Sequence, residues 1–393
     1  MVRPAALPAA IEDVLRDGLG LPELEVRSMR APGVRGEEAE PWRGDKYGGG
    51  DDDIEGVVPL DIVLADAPGA AQRVLPVILK ARHGAGVGEA LLPRWLDQVG
   101  VRLDRPLAEH PTAAEWLRTD AREIDAYRRF AAHETTRRWL PAFYGARADP
   151  AEDEYLLVIE RIDGALLMDT GDDVSGWHPP MRWRTVEALA DLHAVGLGQE
   201  PDPSWPAHVA DSASVIADAP LFQALLDAGR RSLPRIVTPE VGAVASRLIE
   251  TIDEWYPPKD ALPRTLVHDD CNPRNACFRA DRTAVVYDWE LALWDTPQRD
   301  LAELLAFTLS PGFEQTSLWE IVERHRRALG RAAGVELDPD AWREGFRIQM
   351  RYQLINRVAW QWLFAAAMGA SGTGSIAYVP RITAVTTEIL RRT

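Results

Sequence analysis

Between Leu24 and Glu160 the apolar residues fall in short runs of strand length at 57–64, 74–80 and 155–159, rich in Val, Ile and Leu and interrupted by clusters of Gly and Asp. After Arg161 the pattern changes. Residues 182–195, 241–255, 301–309, 317–333 and 341–364 carry apolar side chains three and four apart, the spacing of a helix with one buried face. Further helical segments fall between 87 and 140, and Ile11, Val14, Leu15 and Leu19 space a short amphipathic helix near the start. This pattern predicts an α+β chain, with a sheet-rich part over 1–160 and a larger helical part over 161–393, and a ligand cleft commonly forms between two such parts. Pro76 has no N–H to donate, so its strand must have an unpaired or edge position there.

The length of 393 residues is that of about 2.6 average domains. The net charge of −17 disfavours nucleic acid and anionic membranes as partners and favours cationic ligands. The only lysines are Lys46, Lys80 and Lys259, against 41 arginines, so a lysine at a special position stands out. Cys271 and Cys277 are too few for a disulfide framework, which fits a reducing, cytoplasmic setting. Glu12 and Asp13 interrupt the apolar run a signal peptide needs. Residues 358–380 are apolar only as far as Ala370, which suits a buried helix better than a membrane span.

The chemistry concentrates in residues 266–300. Residues 276–279 can pair with 283–286 across a turn at Ala280, Asp281 and Arg282, and that hairpin brings Asn275 close to Tyr287 and Asp288. Their side-chain oxygens suit a hard cation such as Mg²⁺, which takes one or two carboxylates and completes its shell with water and phosphate oxygens. Asp270 lies five residues before Asn275 on the same loop and could face a substrate hydroxyl. Taken singly, Asp269, Asp270 and Asn272 read as turn formers beside a proline.

Taken together, His268, Asp270, Asn275 and Asp288 resemble the catalytic and metal loops of the aminoglycoside phosphotransferase and choline kinase-like families, which share the protein kinase fold. The resemblance extends to the triplet Asp288-Trp289-Glu290, to the segment from Asp295 to Ala302, and to Leu189-Ala190-Asp191-Leu192-His193-Ala194. It implies a two-lobed kinase-like fold that moves the γ-phosphate of ATP to a hydroxyl of a small molecule, an aminoglycoside-like or other natural-product acceptor. Asp270 would be the catalytic residue, Asn275 and Asp288 the Mg²⁺ ligands, and His268 and Asp300 supports, with His268 also readable as a satisfied core histidine. Asp300 could also cap a helix beginning near Leu301, a role that coexists with bracing the loop. Glu290 either reaches the metal or faces solvent. At position 269 these families commonly carry Gly, where this chain has Asp.

The same resemblance implies that Lys80, at the end of the run 74–80, contacts the nucleotide phosphates with Glu123 as its carboxylate partner, Glu89 and Glu115 being the alternatives. The strand ending at Glu160, followed by Arg161 and Ile162, would hold adenine through its backbone. Gly48-Gly49-Gly50 could cover phosphates through N–H groups, although Asp51, Asp52 and Asp53 follow at once and an exposed turn reads equally well. The chain has no P-loop motif. One rival reading is a nucleotide-binding pseudokinase without turnover. Another is a protein kinase, disfavoured by the lack of an Ala-Pro-Glu segment after Asp288.

Overall fold

The computed structural model describes residues 7–32, 56–83, 87–117, 119–149, 151, 154–201, 205, 211–371 and 377–393. They form two compact units, one from described residues between Met1 and Gly86 and between Glu123 and Gly164, the other from Val87–Arg122 and Ala165–Thr393. The second stretch of the first unit ends at Gly164. The segment 87–122, in contrast, groups with the helical unit, because Leu92, Leu96, Val101 and Ala113 are buried in one core with Phe222, Trp360 and Leu363.

The first unit is built on one antiparallel sheet in the order β1-β2-β3-β5-β4, with β1 Glu25–Arg30, β2 Gly56–Ala65, β3 Gln72–His83, β4 Phe143–Asp149 and β5 Glu154–Glu160. β2 and β3 pair from Gly56↔Ala81 to Ala65↔Gln72. The ladder therefore recruits polar flanks such as Gln72 and Arg73, which carry no apolar signal. The expected helix runs Leu7–Leu19, and its Leu7, Ile11, Val14 and Leu15 are buried with Leu60, Ile62, Val77 and Val158 of the sheet. Contact between this helix and β4 is close enough that a Cβ on Gly18 would stand 1.9 Å from the Tyr144 carbonyl oxygen.

Pro76 lies on an interior strand, paired with Asp61 of β2. On the other side, β5 pairing begins only at Val77↔Glu160, and the Pro76 carbonyl accepts the Arg161 N–H at 3.2 Å. A strand residue directs its N–H and C=O to the same side, so the missing donor faces the end of the β5 ladder.

In the second unit the expected helices appear as Pro179–Ala194, Pro239–Glu250 with a further turn Ile252–Trp255, Gln298–Thr308 and Gln315–Ala333. Two short ladders cross it: β6 Thr265–Val267 pairs with β9 Leu293–Asp295, and β7 Ala276–Phe278 with β8 Ala284–Val286. The single helix expected over 341–364 is instead Pro339–Gln353, a π-helical turn Leu354–Val358, and Ala359–Ser371. Among the described residues no helix is long and apolar enough to cross a membrane.

Candidate active site

The loop after β6 is held from beneath by one carboxylate. Asp300 Oδ2 accepts the His268 N–H and Oδ1 the Asp269 N–H, both at 2.8 Å, and Oδ2 also accepts His193 Nε2 at 2.9 Å. Burial alone would raise the Asp300 pKa, but these donors hold it below the ordinary value, so the carboxylate stays ionised. The helix begins at Gln298, with Asp300 inside its first turn and no side-chain cap. The capping reading of Asp300 is therefore corrected: its oxygens are committed to the loop.

His268 is fully buried and fully used. Its Nε2 lies 2.8 Å from the Tyr287 carbonyl, its Nδ1 accepts the Asp270 N–H at 3.2 Å, and its ring lies against Trp289. This is the satisfied core histidine, and it also joins the loop to the end of β8.

Asp270 meets a ring of donors. Asn272 Nδ2 donates to Oδ1 at 2.8 Å, Asn275 Nδ2 to Oδ2 at 2.6 Å, and Arg357 Nη2 to Oδ1 at 2.5 Å. Asn275 also donates to the Asp270 carbonyl at 3.0 Å. With its amide hydrogens spent on Asp270, Asn275 keeps Oδ1 as an acceptor.

The hairpin forms as its turn residues predict, the Arg279 N–H bonding to the Thr283 carbonyl and the Tyr287 N–H to the Asn275 carbonyl. Asp288 follows at once, half-buried and in the left-handed region at φ 67°. Two hard oxygen donors therefore stand near the open end of the hairpin. One amide oxygen and one carboxylate are a donor set that fits Mg²⁺ shared with phosphates. Among the described residues no three His, Cys, Asp or Glu side chains gather as a metal cage. Glu290 is half-buried on the turn Trp289–Leu291.

Around this loop runs a buried chain of charges. Lys259 meets Asp295 at 2.6 Å, Asp295 meets Arg299 at 3.0 Å, and Arg299 reaches Glu115 at 2.8 Å and also the Asp269 carboxylate. Burial pushes the Glu115 pKa up to about 7 against the pull of Arg299. Glu115 is thus a member of this network. Burial likewise pushes Glu303, which touches Asn272 and Gln353, up to about 7. Sequence reasoning missed Arg357, Glu303, Arg299 and Lys259. Two carried a signal: Lys259 is one of three lysines, and Arg357 is a lone charge within the largely apolar run 354–366.

In the first unit, Lys80 Nζ lies 2.6 and 2.9 Å from the two carboxylate oxygens of Glu123, with the side chains 11% and 4% exposed. The helix Thr119–Ala131 carries Glu123. At the end of β5, Glu160 gives its N–H to the Ala142 carbonyl at 2.8 Å and accepts the Ala142 N–H on its carboxylate at 2.9 Å, and Ile162 follows, half-buried. Gly48, Gly49 and Gly50, and the side chain of Glu89, lie outside the described residues.

A family model described as the phosphotransferase enzyme family matches residues 101–345. A search of curated proteins found no match. Among solved structures the chain is similar to choline kinase LicA from Streptococcus pneumoniae, at 12% identity over 98% of this chain and 99% of that one with a TM-score of 0.46. It is also similar to macrolide 2'-phosphotransferase MphH from Brachybacterium faecium, at 16% identity over 96% and 97% with a TM-score of 0.44. An aminoglycoside phosphotransferase from Alicyclobacillus acidocaldarius aligns at 12% identity over 84% and 87%, with a TM-score of 0.45.

Proposed function

The chain belongs to the phosphotransferase enzyme family, and from that premise we propose that it moves the γ-phosphate of ATP to a hydroxyl of a small molecule, with Asp270 as the catalytic residue. The observation that carries this reading is the shared hydrogen-bonding of Asp270 and Asn275 on a loop whose N–H groups Asp300 holds, beside the hairpin that ends at Asp288.

Asp270 orients the acceptor hydroxyl and takes its proton as the oxygen bonds to phosphorus and the bond to the leaving ADP breaks. Asn275 Oδ1 and the Asp288 carboxylate are the groups that would hold Mg²⁺. When bound there, the ion supplies positive charge against the nucleotide phosphates. Glu123 fixes the ammonium of Lys80, which as a compact cation is suited to phosphate oxygens. The Glu160 carbonyl and the Ile162 backbone are the candidate contacts for adenine, since the Glu160 N–H is already engaged. A natural-product acceptor of aminoglycoside type suits the net charge of −17, and two buried cysteines that form no disulfide suit the cytoplasm.

Thermal-shift titration with ATP and Mg²⁺, followed by ADP release with a panel of hydroxyl compounds, tests this reading. A ligand at a hundredfold its Kd stabilises by about 2.7 kcal/mol, a readily measured shift. Absence of stabilisation by Mg-ATP overturns the reading, and binding without ADP release on any acceptor favours the pseudokinase.

A further inference from the structure

We propose that Arg357 is a positioning residue for Asp270, delivered to it by the π-helical turn Leu354–Val358. This rests on the reading of Asp270 as the catalytic residue.

The observations are geometric. Arg357 Nη2 lies 2.5 Å from Asp270 Oδ1 and 3.6 Å from Glu303, so the catalytic-loop carboxylate is the nearer partner. The Arg357 side chain is 3% exposed and that of Asp270 14%, so the pair is largely shielded from water and weakly screened. The guanidinium also lies 4.6 Å from the Trp116 ring centroid, which restricts its plane. Asn272 and Asn275 reach Asp270 from its own loop and can turn only as that loop turns. Arg357 comes from a separate helix and fixes the carboxylate against the body of the unit.

The backbone supplies a second, independent observation. An α-helix advances about 100° per residue, and one extra residue in a turn re-aims every side chain beyond it. The π turn brings consecutive polar residues inward: Asn356 donates to the Tyr352 hydroxyl at 2.7 Å while Arg357 meets Asp270. π turns of this kind concentrate at functional sites.

A role in simple core neutralisation makes a different forecast, and a coupling experiment separates the two. Arg357→Met alone removes the cation shared by buried Glu303 and half-buried Asp270, so Arg357→Met with Glu303→Gln offsets the lost charge, and Arg357→Lys keeps the charge without the planar group. Each is measured for Tm, Mg-ATP affinity and kcat. The double variant is expected to keep its fold and nucleotide affinity and to lose about 10- to 100-fold in kcat, the scale set by small misplacements of reacting groups. Arg357→Lys is expected to lose about tenfold. On an Asp270→Asn background the double change should cost nothing further, since the group it positions is already lost. Wild-type kcat in both Arg357 variants, or the same fractional loss with and without Asp270, overturns the proposal. Full activity of Asp270→Asn alone would instead overturn the functional reading beneath it.

Discussion

Asp269 stands in the left-handed region at φ 61°, and its carboxylate is buried against the guanidinium of Arg299. This accounts for an Asp at a position where the resembled families commonly carry Gly. The left-handed conformation costs about 1–2 kcal/mol for a residue with a Cβ, whereas losing one charge-assisted hydrogen bond to Arg299, which keeps Asp295 and Glu115, costs about 1.5–3 kcal/mol. The hydrogen bond wins by a small margin. Asp269→Gly should therefore destabilise the protein by about 1 kcal/mol despite relieving the backbone. Urea denaturation measures the difference, and a stabilised variant would refute the accounting.

Asp270→Asn should lower kcat by about 10²- to 10⁴-fold and leave Mg-ATP affinity nearly unchanged, as expected when a general base is removed without disturbing the nucleotide. Steady-state kinetics on a productive acceptor, with nucleotide binding by calorimetry, decides the point. Wild-type turnover removes Asp270 from the mechanism.

Lys80→Ala and Glu123→Ala should damage one shared function, because the two side chains already form a two-oxygen ion pair. The double variant should lose much less transition-state free energy than the sum of the single losses. Lys80 and Glu115 should combine additively, since Glu115 is committed to Arg299. Additivity at Glu123 would dissociate the pair from catalysis.

Burial pushes Glu303 from an ordinary 4.5 up to about 7. Between those values the unfolded chain has lost the proton that the native state keeps, so native stability falls as pH rises through the window and levels off above it. Glu303→Gln removes that dependence. Relative to wild type, the variant should gain stability between pH 5 and pH 8, read from denaturation midpoints at each pH. A pH-independent difference would mean that Glu303 titrates normally.

Asp288→Ala should weaken Mg²⁺-dependent nucleotide binding more than Asn275→Ala does, because a carboxylate brings charge as well as an oxygen to the cation. ATP titrations at several Mg²⁺ concentrations test the order. Equal affinities in wild type and both variants would remove the metal assignment.

Much of the loop was legible in the sequence because its determinants are local. The turn at Ala280, Asp281 and Arg282 and the flanking apolar residues specify the hairpin, and the hairpin alone brings Asn275 beside Tyr287. Strand and helix positions followed from periodicity for the same reason, since a buried face imposes a repeat on neighbouring residues. Glu123 was named as the partner of Lys80 with Glu89 and Glu115 still open, because the choice depends on where a helix 43 residues away is seated.

What the sequence determines here is the identity of the chemical groups and their local order: a carboxylate, an amide and a second carboxylate along one strand–turn–strand segment. Only the tertiary structure decides how they are held. Asp300 serves the loop rather than the end of its helix, Glu115 answers to Arg299 rather than to Lys80, and Arg357 reaches Asp270 across 87 positions. The physical reason is that a buried charge must find a partner within a few ångströms. That distance is set by which elements pack together and, for Arg357, by one extra residue in a helical turn. Neither leaves a repeat in the sequence.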